Sequence, residues 1–253
     1  GMASWSVSTD ITPKALAVRD DGRILVSGTA HNPMAAATDM LLVQWNSDGT
    51  LDTGFGTQGV LRNFGSFQND VVGTPEALAI DAQDRALVVG RLAAAPGASH
   101  PSPAFWRCDA SGQPDLTWTG NNSNPYAGTG LVALGPVFTA EPAVLFGRNS
   151  GATALCMRPD ASILAVGTRE NAEGHKDLAW WRFDSQGRLD HSWNGTGFMI
   201  EDGTLEDNAS ESCGSLLIDG TGRVLAAGSS TQGVDPMRAL LWIDQGGQRT
   251  FEP

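Results

Sequence analysis

One unit occurs four times along the sequence, and this internal repetition is the strongest constraint on the fold. The unit is clearest where an apolar run of strand length leads into a polar turn that ends in glycine. The four copies of this stretch occupy residues 39–52, 102–115, 177–190 and 237–250. Self-similar segments that return after about 60 residues are typical of repeat arrays, in which each unit packs on its neighbours.

A predicted β-hairpin precedes each copy of that stretch. In the first copy, residues 15–18 and 23–28 are the strands, and residues 19–22 are a polar turn that ends in glycine. Polar residues at the centre of a turn and glycine at its end favour a tight reversal of the chain. The corresponding hairpins span 77–90, 154–167 and 215–228.

The third strand of each unit is apolar at consecutive positions, as in Leu42 and Val43 or in Trp180 and Trp181. Neighbouring side chains point to opposite faces of a strand, so this pattern predicts burial on both faces. A sheet that is buried on both faces lies between two other sheets, as the blades of a propeller do. The following turn begins with Asn or Asp and ends with Gly, which is typical of a type I turn.

The second copy and the two ends of the chain depart from the repeat. Residues 121–151 include about 14 extra residues and are predicted to form an added loop or hairpin. The fourth copy stops at Pro253 and lacks the strand that should follow its turn, whereas residues 5–9 form a predicted free strand. If the free strand completes the last blade, the ring closes and two exposed sheet edges disappear.

We therefore predict an all-β fold, a single β-propeller domain over residues 1–253 that is four-bladed and closed by the N-terminal strand. Its four repeats of about 60 residues are predicted at about 10–70, 71–150, 152–212 and 213–253, with the insertion 121–151 in the second.

The repeat resembles the delta-60 repeat family of bacterial proteins, a domain family of unknown function. The resemblance is strongest in the first copy, at residues 15–28 and 39–56, where it includes Leu-Asp-Thr-Gly-Phe-Gly at 51–56. It covers nearly all of the chain outside 121–151 and the termini. The resemblance implies a β-propeller and assigns no catalytic residue, because the family motif specifies strands and turns.

The net charge of −12 argues against two common classes of partner. Nucleic-acid binding requires clustered Lys and Arg, and so does docking on an anionic membrane. The chain has no run of 18 apolar residues, and its first residues lack the basic and apolar regions of a signal peptide. We expect a soluble monomer or homodimer with no nucleic-acid partner and no membrane insertion.

Cysteines and tryptophans are predicted to lie mainly in the core. Cys108, Cys156 and Cys213 have no zinc-binding spacing and lie in apolar strand-like segments, so we expect small buried side chains. Most of the eight tryptophans occupy strand positions, which favours the core over sugar stacking. Trp5 and Trp118 are the two whose position is less typical of a strand.

The turn of the first copy has some features of a calcium-binding loop. It carries oxygen-bearing side chains at alternate positions: Asn46, Asp48, Thr50 and Asp52. The third of the four turn positions is not kept in the other copies, where it becomes Ser111, Gln186 and Gly246. An Asx turn explains the recurring first residue without a metal, and we predict no metal and no cofactor.

The histidines also offer little support for a metal or a triad. Three of them fall in the equivalent variable loop and so share one face of a propeller, but they stand at unequal distances from the preceding glycine: His31, His100 and His175. Asp190, His191 and Ser192 are contiguous, so their side chains alternate along the strand and cannot converge as a catalytic triad.

Carboxylates fall into two groups according to their place in the repeat. Three aspartates recur once per repeat, which favours a structural role: Asp52, Asp115 and Asp190. Three glutamates lie outside the repeat consensus and are better candidates for an asymmetric pair such as glycosidases use: Glu141, Glu170 and Glu173.

We predict a non-catalytic binding or scaffold module for an unknown protein or glycan, which presents its variable loops on one propeller face. The predicted ligand-binding residues are His31, His100, Glu170, His175 and Asp235. The alternative is a hydrolase or lyase acting on a carbohydrate or small molecule at the propeller axis. A cluster of Asp or Glu with raised pKa at one mouth of the channel would favour the enzyme. A third hypothesis is an incomplete propeller that dimerises into a larger ring.

Overall fold

The described part of the chain is entirely β-structure. A computed structural model gives the structure of residues 4, 10–32, 37–62, 72–93, 101–120, 126–134, 148–201, 209–231, 238–245 and 248–252. These residues form 16 strands in four antiparallel sheets, and they include no helix. Accordingly, this part of the chain contains no apolar helix long enough to cross a membrane.

Each sheet is a meander of four consecutive strands, so the sheets follow one another in the order of the repeats. Sheet 1 contains β1 (Ile11–Val18), β2 (Ile24–Asn32), β3 (Ala37–Trp45) and β4 (Val60–Arg62). Sheet 2 contains β5 (Val72–Ile80), β6 (Ala86–Ala93), β7 (Ser102–Cys108) and β8 (Leu131–Ala133). Sheet 3 contains β9 (Arg148–Met157), β10 (Ile163–Glu170), β11 (Lys176–Phe183) and β12 (Phe198–Glu201). Sheet 4 contains β13 (Ser210–Ile218), β14 (Val224–Thr231), β15 (Arg238–Gln245) and β16 (Gln248–Glu252).

The glycine that closes each hairpin is required by the close approach of the first two strands. In all four sheets the register shifts at one residue of the first strand, next to this glycine. A Cβ on Gly90 would lie 2.0 Å from the carbonyl oxygen of Thr74, and a Cβ on Gly28 would lie 2.5 Å from that of Thr12. No real side chain tolerates such a distance, which explains why glycine recurs at this position.

The sheets pack face to face in chain order, which is the blade arrangement of a β-propeller. The first strand of sheets 2, 3 and 4 contacts the first three strands of the preceding sheet. We call the face of a sheet that packs on the next sheet its trailing face, and the opposite face its leading face. One intersheet core contains Leu25 and Trp106, and the next contains Phe105 and Trp181.

Burial of the third strand on both faces is confirmed. Every residue of β7 is buried, and Leu42 and Val43 of β3 are 0% and 3% exposed. Trp180 and Trp181 of β11 are likewise buried but belong to different core clusters, because their side chains point to the two faces of sheet 3. In sheets 2 and 3 the apolar run of the repeat is therefore the middle layer between two neighbouring sheets.

The structure corrects the prediction for the end of the chain. The fourth copy does not lack its last strand, since β16 pairs with β15 from Gln245↔Gln248 onward. The two residues between them in the sequence are Gly246 and Gly247, a pair that suits a two-residue hairpin. The long excursion that precedes the fourth strand in the other copies is therefore unnecessary in sheet 4. Residues 5–9, which were predicted to complete the last blade, lie outside the described residues.

Two further differences concern strand boundaries. The strand predicted at residues 15–18 begins earlier, at Ile11, and includes Pro13, which is tolerated because β1 is an edge strand and Pro13 adjoins its bulge. In sheets 1 and 3 the fourth strand begins five residues after Phe55 or Trp193, whereas β8 begins 13 residues after Trp118. Eight of the extra residues, the difference between 13 and 5, therefore precede β8, and residues 121–125 and 135–147 lie outside the described residues.

Candidate functional site

Each meander places its connections at two opposite ends. The tight turns between first and second strands and those after third strands share one end, which we call the turn end. The connections between second and third strands lie at the other end, which we call the loop end. Of the predicted ligand-binding residues, His31, Glu170 and His175 lie at the loop end, whereas most of the ion pairs between described residues lie at the turn end.

The aspartate that recurs in the repeat clasps the third strand at the turn end. In sheet 1, the Gln44 side chain donates a hydrogen bond of 2.7 Å to Asp52. At the equivalent positions, Arg107 donates to Asp115 at 2.8 Å, and Arg182 pairs with Asp190 at 3.0 Å. Each aspartate also accepts from the backbone N–H two residues later. The structural role predicted for these aspartates is confirmed.

An aromatic residue after the clasp joins neighbouring sheets. The Trp118 ring lies against Gly187 of the next sheet, where an added Cβ would approach the ring to 2.7 Å. Its indole N–H donates to the Phe105 carbonyl at 3.0 Å, and the Arg107 guanidinium lies 4.4 Å from the ring centroid. Arg107 also donates to the Ser185 carbonyl of sheet 3 at 2.6 Å. Trp118 is thus a fully buried junction residue rather than a surface platform.

A second junction links the hairpin turns of sheets 1 and 2. Asp84 has a φ of 59° at a turn position where sheet 1 has Gly22. Its carboxylate accepts from the buried Arg19 at 2.5 Å and from Arg23 at 3.1 Å, and its carbonyl oxygen also accepts from Arg19. Arg19 further donates to Gln44 at 2.7 Å. Asp84 thus adopts a backbone conformation that favours glycine and ties two sheets together.

An open cleft of about 350 Å³ lies beside this junction, at the turn end of the two innermost strands β1 and β5. Three of its lining residues are apolar and four are aspartates. The lining residues are Val18, Asp20, Asp21, Ile80, Asp81, Ala82 and Asp84. A cleft lined by apolar side chains and carboxylates has the chemistry to hold a small cationic or polyhydroxylated group.

The carboxylates of the cleft are largely engaged by arginines. Arg23 pairs with Asp21 at 2.6 Å, and Arg85 pairs with Asp81 at 2.6 Å. The backbone N–H and the guanidinium of Arg23 hold the pKa of Asp21 below its ordinary value. A general acid at neutral pH needs the opposite, a carboxyl whose pKa is raised. The lowered pKa of Asp21 is therefore contrary to what a general acid requires.

In the turn after β3, the Asx interaction that was predicted for the first residue is made by Asp48, because the Asn46 amide donates to the Thr50 hydroxyl at 3.0 Å. Asp48 accepts hydrogen bonds from the Thr50 N–H at 2.9 Å and from its hydroxyl at 2.6 Å. The Gly49 N–H donates to the Asn46 carbonyl at 2.9 Å and closes the turn. Asp52 faces Gln44 rather than Asp48. Within the described ranges, no group of three or more His, Cys, Asp or Glu is placed to hold a metal ion.

At the loop end of sheet 1, an ion pair with a buried carboxylate joins β3 to β4 beside His31 of β2. The Arg62 guanidinium donates to Asp39 at 2.8 Å, and the Asp39 side chain is only 7% exposed. Arg62 also donates to the His31 carbonyl, and the His31 N–H donates to the Asp10 carbonyl at 2.9 Å. The His31 side chain is exposed, while its backbone is held on both sides.

The corresponding loop of sheet 3 is a tight hairpin tip with a similar base. Arg169 donates to the fully buried Asp177 at 3.1 Å, and the Asn171 amide donates to the same carboxylate at 2.9 Å. The Asn171 side-chain oxygen accepts from the backbone N–H groups of Glu173 and His175. The tip is therefore ordered by its own hydrogen bonds, and Glu173 stays exposed.

The predicted ligand-binding residues are only partly placed together. Glu170 and His175 flank the tip of one hairpin in sheet 3, where Glu170 accepts from Asn149 at 2.6 Å. His31 lies on a different sheet at the same end. His100 and Asp235 fall outside the described residues, so their predicted role stays a prediction.

The cysteines are buried hydrophobic residues, as predicted, and the structure leaves them free. Burial raises the pKa of Cys108 and Cys156 to about 12, and that of Cys213 to about 11. A thiol with such a pKa is almost wholly protonated at neutral pH and is a poor nucleophile. These residues therefore contribute packing rather than chemistry.

The fold and the repeats define a β-propeller, and the comparison with family models agrees with that class. Residues 19–55 match the model described as domain of unknown function (DUF5122) beta-propeller. That segment covers the first hairpin turn, the loop-end connection, the third strand and the aspartate clasp of sheet 1. The description of that model names no catalytic or binding residue. A comparison with curated proteins gives no match.

Several solved structures have a similar fold at low sequence identity. The mannose phosphorylase MPT-4 from Leishmania mexicana matches with a TM-score of 0.51 and 11% identity, over 96% of this chain and 66% of that one. The chain therefore spans about two thirds of the phosphorylase. The β-propeller domain of the Trilobed protease from Pyrococcus furiosus gives a TM-score of 0.45 and 9% identity, over 98% and 58% of the two chains. An endo-arabinase from Bacteroides thetaiotaomicron gives 0.47 and 11%, over 95% and 78%.

Proposed function

We propose that the protein is a non-catalytic binding or scaffold module whose loop end engages a protein or glycan partner. The observation that carries the proposal is an ion pair with a buried carboxylate at the base of two loops, Asp39 with Arg62 and Asp177 with Arg169. The sequences of these loops differ from copy to copy. The tip in sheet 3 is ordered by the hydrogen bonds of Asn171, and a loop that is ordered before binding loses less conformational entropy when a partner docks, which favours recognition.

The composition of the described tip suits polar recognition. Glu173 and Lys176 are exposed, and Glu170 and His175 are half-buried beside them. Carboxylate, ammonium and imidazole groups can all hydrogen-bond to sugar hydroxyls or to polar peptide groups. The exposed His31 lies at the same end of sheet 1, which is separated from sheet 3 by sheet 2.

The hydrolase or lyase alternative has weaker support. It predicts carboxylates of raised pKa at one mouth of the channel, and the acidic cleft between sheets 1 and 2 is the natural place for them. In that cleft Asp21 has a lowered pKa, and Asp81 and Asp84 are paired with arginines. Asp84 joins the two sheets, and Asp21 and Asp81 pair with arginines of their own hairpin turns, which favours a structural frame over a catalytic centre.

We also infer that the repeating unit is the delta-60 repeat, on the strength of residues 51–56 and their counterparts. Under this assignment, the recurring aspartate, aromatic and glycine belong to the clasp and junction described above. The ligand contacts then lie in the loops, where the copies differ.

Glycan and peptide arrays probed with the labelled intact protein test the binding proposal. In a loop variant, residues 171–175 are replaced by Asn-Gly, which suits the hairpin because Glu170 pairs directly with Lys176. A control variant carries Asp184→Asn at the turn end. We expect the loop variant to lose the array signal and the control to keep it. Full signal from the loop variant, or hydrolysis of a bound glycan by the wild type, would refute the proposal.

A further inference from the structure

Large apolar side chains are exposed on the first strand of sheet 1 and on the first strand of sheet 4. Leu16 and Val18 of β1 are 66% and 59% exposed, and Leu217 of β13 is 60% exposed. These strands are the innermost ones, which elsewhere lie between sheets. Exposed apolar residues at such positions point to an interaction surface.

The repeat shows what these side chains do in the other sheets. The equivalents of Leu16 are Leu78 in sheet 2 and Leu155 in sheet 3, and both pack into the core shared with the preceding sheet. Leu16 pairs with Val26 across the hairpin, just as Leu78 pairs with Val88. Leu16 and Val18 therefore lie on the leading face of sheet 1, in the position of a docked strand.

The trailing face of sheet 4 is also more exposed than the equivalent face of sheet 3. Leu217 and Leu225 are register partners, and the equivalent of Leu217 in sheet 3 is Cys156, which is 9% exposed. Ala227 is also exposed, whereas its equivalent Val166 is 0% exposed. Positions that a docked strand buries in sheet 3 are therefore exposed on the trailing face of sheet 4.

The three interfaces between the described sheets join the same two kinds of face. In each of them the first strand of one sheet docks on the first three strands of the sheet before it. The trailing face of sheet 4 therefore presents β13 and β14 at the position that receives the first strand of the next sheet elsewhere. Both faces are apolar at this position, so burying them together is favourable without any charge pairing.

We propose that two copies of this chain associate head to tail, with β1 of each copy docked on the trailing face of sheet 4 of the other. This contact extends the interface that already joins sheets 1 to 2, 2 to 3 and 3 to 4. A head-to-tail contact that closes after two copies leaves neither face open. The ring then contains eight sheets, which is within the range of known propellers.

Sedimentation velocity combined with light scattering on the intact chain measures the assembly. Three variants are compared at the same concentration: Leu16→Glu, Leu217→Glu and Leu116→Glu. Leu116 is a matched control, because it is 63% exposed but lies at the turn end of sheet 2, away from both open faces. Far-UV circular dichroism reports whether each variant keeps its sheets.

The wild type and the Leu116→Glu variant are expected to have twice the mass of the single chain. Leu16→Glu and Leu217→Glu are each expected to shift the mass toward that of one chain while the spectrum of the sheets is kept. A monomeric wild type would overturn the proposal, because it would mean that the chain closes on itself or stays open. A Leu217→Glu variant that stays dimeric would overturn the head-to-tail contact, since association through two leading faces does not involve Leu217.

Discussion

Asp84 and Ala161 occupy the same position in the hairpin turns of sheets 2 and 3, yet replacing each by glycine should have opposite effects. Their φ angles are 59° and 61°, and the equivalent positions of sheets 1 and 4 hold Gly22 and Gly222. A residue with a Cβ loses about 1 kcal/mol in this conformation relative to glycine. The methyl side chain of Ala161 cannot form a hydrogen bond that would offset this cost. Ala161→Gly should therefore raise the free energy of unfolding by about 0.5–1 kcal/mol.

Asp84→Gly gains the same relief but removes a carboxylate from two arginines. The Arg19 side chain is 0% exposed and pairs with Asp84 at 2.5 Å. Leaving a buried charge without its partner costs about 3–5 kcal/mol. The lower value applies here, because the Asp84 side chain is 39% exposed and its carbonyl oxygen can still accept from Arg19. The net loss should be about 2 kcal/mol.

Thermal unfolding followed by far-UV circular dichroism separates these two effects. For a chain of this size, 1 kcal/mol corresponds to about 2–4 °C in Tm, so Ala161→Gly should raise the Tm by about 1–4 °C. Asp84→Gly should lower it by about 4–8 °C at the same protein concentration. Asp84→Asn, which tolerates the positive φ but lacks the charge, should also lower it. Shifts of the same sign for both glycine variants would refute the view that Asp84 is kept for its ion pairs.

Three further perturbations test the packing and the charge network. Trp118→Ala should cost about 3–5 kcal/mol in chemical denaturation because the ring is fully buried, whereas the half-buried Trp193→Ala should cost clearly less. Gly90→Ala should lower the Tm strongly because its Cβ has no space, while Gly220→Ala, with no atom within 4 Å of the added Cβ, should change it little. Hydrogen bonds from Thr117 and the charge of Arg107 outweigh burial and hold the pKa of Asp115 below its ordinary value. The contribution of Asp115 to the free energy of unfolding should therefore be complete above about pH 4 and should decline as the pH falls through its lowered folded-state pKa. This contribution should be absent in an Asp115→Asn variant when both proteins are titrated from about pH 7 to about pH 2.

Most of the frame follows from comparing the copies of the repeat. Apolar residues at consecutive positions predicted a third strand buried on both faces, and β7 is buried throughout. The recurring Asp115 predicted a structural carboxylate, and it clasps Arg107. These inferences succeed because a feature present in every copy must serve something that every copy does, which is to form a sheet and pack it on the next.

Other features could not be predicted because they depend on how closely two strands or two sheets approach each other in the folded chain. The bulge opposite Gly90 and the contact between Trp118 and Gly187 arise where two strands or two sheets approach closely. The role of Arg19 depends on a carboxylate 65 residues away. A signal for that junction was nevertheless present in the sequence. Asp84 stands where two other copies have glycine, and a larger residue at such a position indicates that its side chain makes a specific contact.

The same comparison between copies separates structural carboxylates from candidate functional ones. Asp115 recurs and is held by Arg107, so Asp115→Asn should lower the Tm and leave the array signal of the folded protein unchanged. Glu173 does not recur and is exposed at the hairpin tip, so Glu173→Gln should change stability by no more than about 0.5 kcal/mol and weaken the array signal. Both variants are measured in the same two assays, which makes the contrast internal. If Asp115→Asn weakened binding as much as Glu173→Gln did, recurrence in the repeat would no longer distinguish the frame from the site.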